Sequence, residues 1–202
     1  SVCMLLDLCR YKRRADGTRH LCGTTGGGTS HHSMRDELLK QATRIVIKIG
    51  SSLLASRDTG LRPEQIDRLA GEIAVLRSSG REVLIVSSGA IVSGIRKLGL
   101  KEYPKSLPVK QAAAAVGQSR LMWAYEKSFE RVDVKVAQIL LTHQDLADRR
   151  RFLNARHTLA ALIGFGVIPI INENDTVAVD EIRVGDNDTL AAEVAHLVDA
   201  DL

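Results

Sequence analysis

Short β-branched runs that end in glycine or polar turns alternate with stretches of helical periodicity, and this alternation constrains the chain more than any other feature. Residues 45–49 form an apolar run, interrupted only by Lys48, that stops at Gly50. Pro63 then opens a helix with Ile66, Leu69, Ala70, Ile73, Ala74 and Leu76 at helical spacing, and Gly80 stops it. Residues 83–86 read as a second buried strand, running into Ser87-Ser88-Gly89-Ala90 and a helix to about Leu98. After a loop with Pro104 and Pro108, a long helix is predicted over 109–130, with an alanine-rich face at 112–115. A strand over 134–141, a helix over 149–163 capped by Asp148, and a strand over 167–171 follow. An acidic loop with a short hairpin at 176–184 leads to Gly185-Asp186-Asn187-Asp188 and a last helix from Thr189 to about Val198. This order predicts an α/β protein, a three-layer αβα sandwich around a mainly parallel sheet.

The 202 residues suit one large α/β domain with tails. Apolar residues make up 45% and aromatics only 3%, so the core is aliphatic, as buried parallel strands and their covering helices require. The net charge of +4 is concentrated in residues 1–33, where five basic residues face two acidic ones. The rest is nearly neutral, which leaves no basic face for nucleic acid. Cys3, Cys9 and Cys22 also lie in that segment, at no common zinc spacing. A cysteine-free remainder excludes a disulfide framework and suits a reducing, cytoplasmic setting. The apolar run 2–8 is too short for a signal sequence and contains Asp7, and no stretch is long enough to span a membrane. Residues 1–33 read as a disordered leader, tag or upstream sequence, with Met34 as a start. The glycine-rich stretch 23–29 lacks the Gly-Lys-Ser/Thr ending of a phosphate loop.

Three strand ends carry unusual chemistry, at the edge of the sheet where open α/β proteins collect ligands. In Ile47-Lys48-Ile49-Gly50-Ser51-Ser52, a lysine sits inside an apolar strand. It either meets an anion there or snorkels to solvent. Gly50 lets the backbone approach a ligand, and amides of the following turn could cradle a phosphate. Val86-Ser87-Ser88-Gly89-Ala90 is a strand, tight turn and helix start, either an anion site or an ordinary βα turn, and not a nucleophile elbow. Asn172-Glu173-Asn174-Asp175 and Gly185-Asp186-Asn187-Asp188 offer carboxylates for an ammonium and amides for a carboxylate, as a zwitterionic amino acid needs. A solvated acidic loop and a calcium loop are the alternatives, and the second lacks the glycine and terminal glutamate of an EF-hand. Together the three ends suit a small anionic acceptor held near a phosphate, without a Walker motif.

Five segments in order then resemble the amino acid kinase family, and within it the glutamate 5-kinases. They are Val86-Ser87-Ser88-Gly89-Ala90, Ala115-Val116-Gly117-Gln118-Ser119, Arg151-Phe152-Leu153-Asn154-Ala155-Arg156, Ile171-Asn172-Glu173-Asn174-Asp175 and Val184-Gly185-Asp186-Asn187-Asp188. The resemblance covers about 44–202. It implies the amino acid kinase fold and ATP-dependent phosphorylation of the L-glutamate side-chain carboxylate, the first step of proline synthesis. It implies that Lys48 and Asp188 are catalytic, and that Lys48, Gly50 and Ser51 lie at the ATP phosphates. Ser88, Gly89, Asn172, Asp175, Asp186 and Asn187 would bind glutamate. Mg²⁺ would be held mainly through ATP, with no protein metal site. Feedback inhibition by proline and homo-oligomeric assembly are further implications. The family's adenine and ribose contacts and a second catalytic lysine follow the position matching Leu202. Residues 34–202 are therefore expected to be an amino acid kinase domain incomplete at its C-terminus. The alternative expectation is a glutamate-binding fragment or regulatory module without turnover.

Overall fold

The computed structural model describes residues 40–56, 60–178 and 186–202, apart from the Asp186 side chain. The leader expected at 1–33 and most of the hairpin expected at 176–184 lie outside the described residues.

Strand β1 (Arg44–Ile49) runs into a single helical turn, α1 (Ser51–Leu54), and then a short antiparallel pair, β2 (Ala55–Ser56) with β3 (Gly60–Leu61). Helix α2 (Pro63–Ser78) leads to β4 (Glu82–Ser87), α3 (Ala90–Lys97) and the long α4 (Leu107–Glu130). Strand β5 (Val136–Leu141), helices α5 (His143–Ala147) and α6 (Arg149–Gly164), strand β6 (Ile168–Glu173) and helix α7 (Asp186–Leu197) complete the order. The four main strands pair in parallel in the order β1-β4-β6-β5.

Alternate residues of β1, β4 and β6 feed two separate cores, while the edge strand β5 leaves Gln138 and Leu140 exposed on one face. Ile45, Ile49, Ile85 and Ile170 join Ile66, Leu69 and Ile73 of α2 and Leu121, Tyr125 and Phe129 of α4 on one face. Leu84, Val86 and Ile171 join Leu159 of α6 and Leu190, Val194 and Leu197 of α7 on the other. This is the three-layer αβα sandwich that the alternation predicts. Asp148 caps α6 by accepting from Arg150 N and Arg151 N, as expected. In the arginine-rich segment of α6, Arg151 bonds Asp145 at 2.7 Å and Arg156 pairs with Asp199, both at the surface.

The boundaries that bear on the site differ from the sequence reading. Helix α4 begins at Leu107, so Pro108 lies in its first turn, where a missing N–H costs nothing. Strand β6 extends through Asn172 and Glu173, which the sequence places in a loop. Helix α7 begins at Asp186 and not Thr189, so Asn187 and Asp188 stand on its first turn. Short α5 was not expected; Thr142 and Asp145 form a capping box that starts it.

Helices α3 and α4 cross backbone to backbone. A Cβ on Gly94 would stand 1.8 Å from Ala113 O, and one on Gly117 would stand 1.7 Å from Ala90 O. At the opposite margin, Asp201 and Leu202 run beside β1. Asp201 N donates to Arg44 O (2.9 Å) and Val46 N donates to Leu202 O (2.8 Å). The Asp201 carboxylate accepts from Arg44 N (2.8 Å), Thr43 Oγ1 (2.7 Å) and Thr43 N (2.8 Å). Those bonds hold its pKa down to about 2, with the Arg44 N–H the largest cause.

Candidate active site

The parallel register sets three strand ends side by side. Lys48 pairs with Val86, Ile49 with Ser87, and Val86 with Ile171. The polar residues that follow or close each strand therefore converge on one edge of the sheet.

Lys48 forms an ion pair that remains open to water. Its Nζ lies 2.7 Å from Asp188 Oδ1, across from the first turn of α7. A Cβ on Gly50 would stand 4.0 Å from the same Nζ, so the ammonium overlies the turn into α1. The anion that Lys48 meets here is a carboxylate of the chain itself.

The β4 turn lies against this corner. Ser88 N donates to Ile49 O at 3.0 Å, and Gly89 faces Ser51, whose Cα would be 3.8 Å from an added Cβ. Gly89 has φ +106°, so conformation and not crowding demands glycine there. From beneath, Tyr125 of α4 shares a 2.9 Å hydrogen bond with Ser87 Oγ. Burial drives the tyrosine pKa well up, partly offset by that bond, so the phenol stays neutral and serves as a strut.

Three amides link α4, β6 and α7 behind the turn. Asn187 Nδ2 donates to Ser88 Oγ (2.8 Å) and also reaches Asn172 Oδ1 (3.2 Å) and Ser87 O (3.3 Å). Asn172, 2% exposed, donates its own Nδ2 to Gln118 Oε1 at 2.8 Å. Its Oδ1 also accepts from Glu173 N at 2.9 Å. Asn187 Oδ1 and Gln118 Nε2 are buried with no partner among the described residues.

The structure thus brings together Lys48, Gly50, Ser51, Ser88, Gly89, Asn172, Asn187 and Asp188 from the sequence-based candidates. Asp175 lies half-buried in the turn after β6. That turn is fixed by Asn174 N donating to Leu141 O (2.8 Å), with Val177 N and Ala178 N both donating to Asn174 O (3.1 Å). The Asp186 side chain lies outside the described residues. Gln118 and Tyr125 were not among the candidates. They sit seven apart on α4, two turns along one face, and only the fold reveals that this face looks onto Ser87 and Asn172.

The amino acid kinase family matches residues 43–202, the whole span from β1 to Leu202. The chain belongs to the amino acid kinase family. Among curated relatives of this amino acid kinase, the glutamate 5-kinase of Geobacter metallireducens is 62% identical over 169 residues, 84% of this chain and 45% of the relative. That of Citrifermentans bemidjiense is 59% identical over the same shares. That of Moorella thermoacetica is 58% identical over 81% of this chain and 43% of the relative. The chain therefore spans less than half the length of these relatives.

Among the described residues no group of three or more His, Cys, Asp or Glu is placed to hold a metal ion. No described helix is long and apolar enough to cross a membrane. A cavity of about 700 Å³ lies away from the site, against α3 and α4, lined by Gly60, Ser93, Arg96, Arg120 and Trp123 among others. It contains none of the candidate residues.

Proposed function

We propose that this chain is the acceptor-binding part of a glutamate 5-kinase, which phosphorylates the side-chain carboxylate of L-glutamate at the expense of ATP. The observation that carries the reading is the Lys48–Asp188 pair at 2.7 Å, set beside the Ser88–Asn187 contact at 2.8 Å. A cation for a phosphoryl group and a polar cradle for an amino acid adjoin at the ends of β1, β4 and β6. The identities of 58–62% to glutamate 5-kinases support glutamate as the acceptor.

The acceptor is already ionised at neutral pH, because a free glutamate side chain titrates near about 4.3. The site therefore needs no general base, and its residues position and neutralise. ATP supplies the phosphoryl group: a carboxylate oxygen bonds to the γ-phosphorus as the bond to the bridging oxygen breaks, giving L-glutamyl 5-phosphate and ADP. Lys48 offsets charge that grows on the transferring group, over the turn of Gly50 and Ser51. Asp188 holds Lys48 in that place. Ser88 and Gly89 receive the acceptor at the β4 turn, while Asn172, Asn187, Asp175 and Asp186 hold its amino-acid end. Mg²⁺ would accompany ATP through the phosphates.

Residues 34–202 make up the kinase domain in this reading, with 1–33 outside it. A first step in proline synthesis, cytoplasmic location, homo-oligomeric assembly and inhibition by proline belong to the same reading and rest on the resemblance.

The test is ATP-dependent acyl phosphate formation by the full-length gene product, trapped with hydroxylamine. Glutamate is expected to give hydroxamate, and aspartate and N-acetylglutamate little. Preference for either of those would overturn the substrate. Glutamate binding without turnover would favour a regulatory module.

A further inference from the structure

The three-amide chain behind the site has one polarity, and a single backbone N–H sets it. Glu173 N donates to Asn172 Oδ1 at 2.9 Å. A peptide N–H cannot accept, so the amide oxygen of Asn172 must face it, and the amide nitrogen must point the other way. There it requires an acceptor, which Gln118 Oε1 supplies at 2.8 Å. On the near side the same Asn172 oxygen faces Asn187 and requires a donor, met by Asn187 Nδ2 at 3.2 Å. Ser88 Oγ takes the other N–H of that group at 2.8 Å. Asn187 Oδ1 is thereby turned out of the chain, buried and without a partner among the described residues.

We infer that Gln118 is a positioning residue of the acceptor site: by accepting from Asn172 it fixes the amide that orients Asn187, and so keeps Asn187 Nδ2 on the Ser88 hydroxyl at the β4 turn. The inference rests on the glutamate kinase reading, which puts the acceptor at that turn.

The placement of Gln118 supports the role. It is buried, and it follows Gly117, whose missing side chain lets α4 touch Ala90 O of α3. Helix α3 begins directly after Gly89, so the same crossing that locates the substrate turn locates Gln118. Two turns further along α4, Tyr125 braces Ser87. One helix face thus holds both the turn and the amide chain. Gln118 itself acts through Asn172.

The experiment uses the full-length gene product. Gln118→Met removes the acceptor at nearly constant volume. The expected result is a KM for glutamate raised by about tenfold, with kcat and the KM for ATP changed by less than about threefold. Gln118→Glu keeps an oxygen acceptor for Asn172 and is expected to return the glutamate KM to within about threefold of the unsubstituted protein. In an Asn187→Ala background, Gln118→Met is expected to add less than about twofold, because the two residues act in one chain. Independent, multiplying effects would overturn the inference, as would equal movement of kcat and both KM values. If Gln118→Met does not fold, Gln118→Ser, too short to reach Asn172, replaces it in the same cycle with the same expectations. No turnover of glutamate by the unsubstituted protein would overturn the functional reading, and this role with it.

Discussion

Lys48 Nζ and Asp188 Oδ1 meet at 2.7 Å, yet the pair is open to water, with the lysine side chain 32% exposed and the aspartate 65%. An ion pair so placed contributes only about 0–1 kcal/mol to folding. Its value lies in location, since it stations a cation over the Gly50 turn and leaves it accessible to an incoming anion. The partner carboxylate comes from α7, which reaches β1 across the sheet edge, so the site exists only once the far end of the described chain has docked.

Removing either member should therefore harm turnover far more than stability. Asp188→Asn is expected to lower kcat by about tenfold or more and to shift the free energy of unfolding by no more than about 1 kcal/mol. Lys48→Ala should lower turnover more than about tenfold and leave glutamate binding nearly intact. Steady-state kinetics beside urea denaturation reads both. Parallel losses in the two measurements would make the pair a structural one.

Asp175 lies in the turn that leaves β6, and the proposed reading assigns it to the amino-acid end of the substrate. Asp175→Ala is expected to raise the glutamate KM, with a smaller change in kcat, when glutamate is varied at saturating ATP. An unchanged KM would remove Asp175 from the binding set.

The glycines of the α3–α4 crossing and of α2 should respond in opposite directions. Gly94→Ala and Gly117→Ala force a methyl group to within 1.8 Å and 1.7 Å of a carbonyl oxygen, and neither backbone can yield cheaply. Each should destabilise by about 1–3 kcal/mol or more, with the glutamate KM raised because α3 begins at the substrate turn. Gly71, in the middle of α2, has nothing within 4 Å of an added Cβ. Gly71→Ala should stabilise by about 0.5–1 kcal/mol through helix propensity alone. Urea midpoints of the three variants settle the comparison.

Asp201 gives the protein an acid limb. Its folded pKa of about 2 lies below the ordinary aspartate value near about 3.9. The stability it contributes is thus fully present above about pH 4 and is lost as pH falls towards about 2. Asp201→Asn should be less stable than the unsubstituted protein at pH 6, and the difference should shrink as pH approaches 2. A difference that stays constant across that range would assign the effect to packing.

The layered fold was legible because short, mostly aliphatic strand runs alternate with helices that repeat their apolar residues every three or four positions. Lys48 and Ser88 drew notice as polar residues at the ends of such runs and Asn187 as part of an acidic cluster, while the roles given to them came from the family resemblance. The start of α7 was not legible, because Asp and Asn disfavour helix interiors and a cluster of them reads as loop, although first turns favour them. Helix α5 is too short for periodicity to show. Gln118 entered the sequence reading only as part of the 115–119 segment that carries the family resemblance, with no role attached. Its partner is 54 residues away, and nothing local distinguishes it from a packing residue.

The two residues that run beside β1 have a bearing on solution behaviour. A strand at the margin of a sheet offers its free N–H and C=O groups to any other molecule that can add a strand of its own. Here the main chain of Asp201 and Leu202 occupies those groups at Arg44 and Val46, and the Asp201 carboxylate adds a negative charge at the same place. The first half of the strand that carries Lys48 is in this way already paired at its outer margin. Loosening that short contact would bare Arg44 O and Val46 N, so two residues that take no part in the proposed chemistry help to hold the strand on which Lys48 stands.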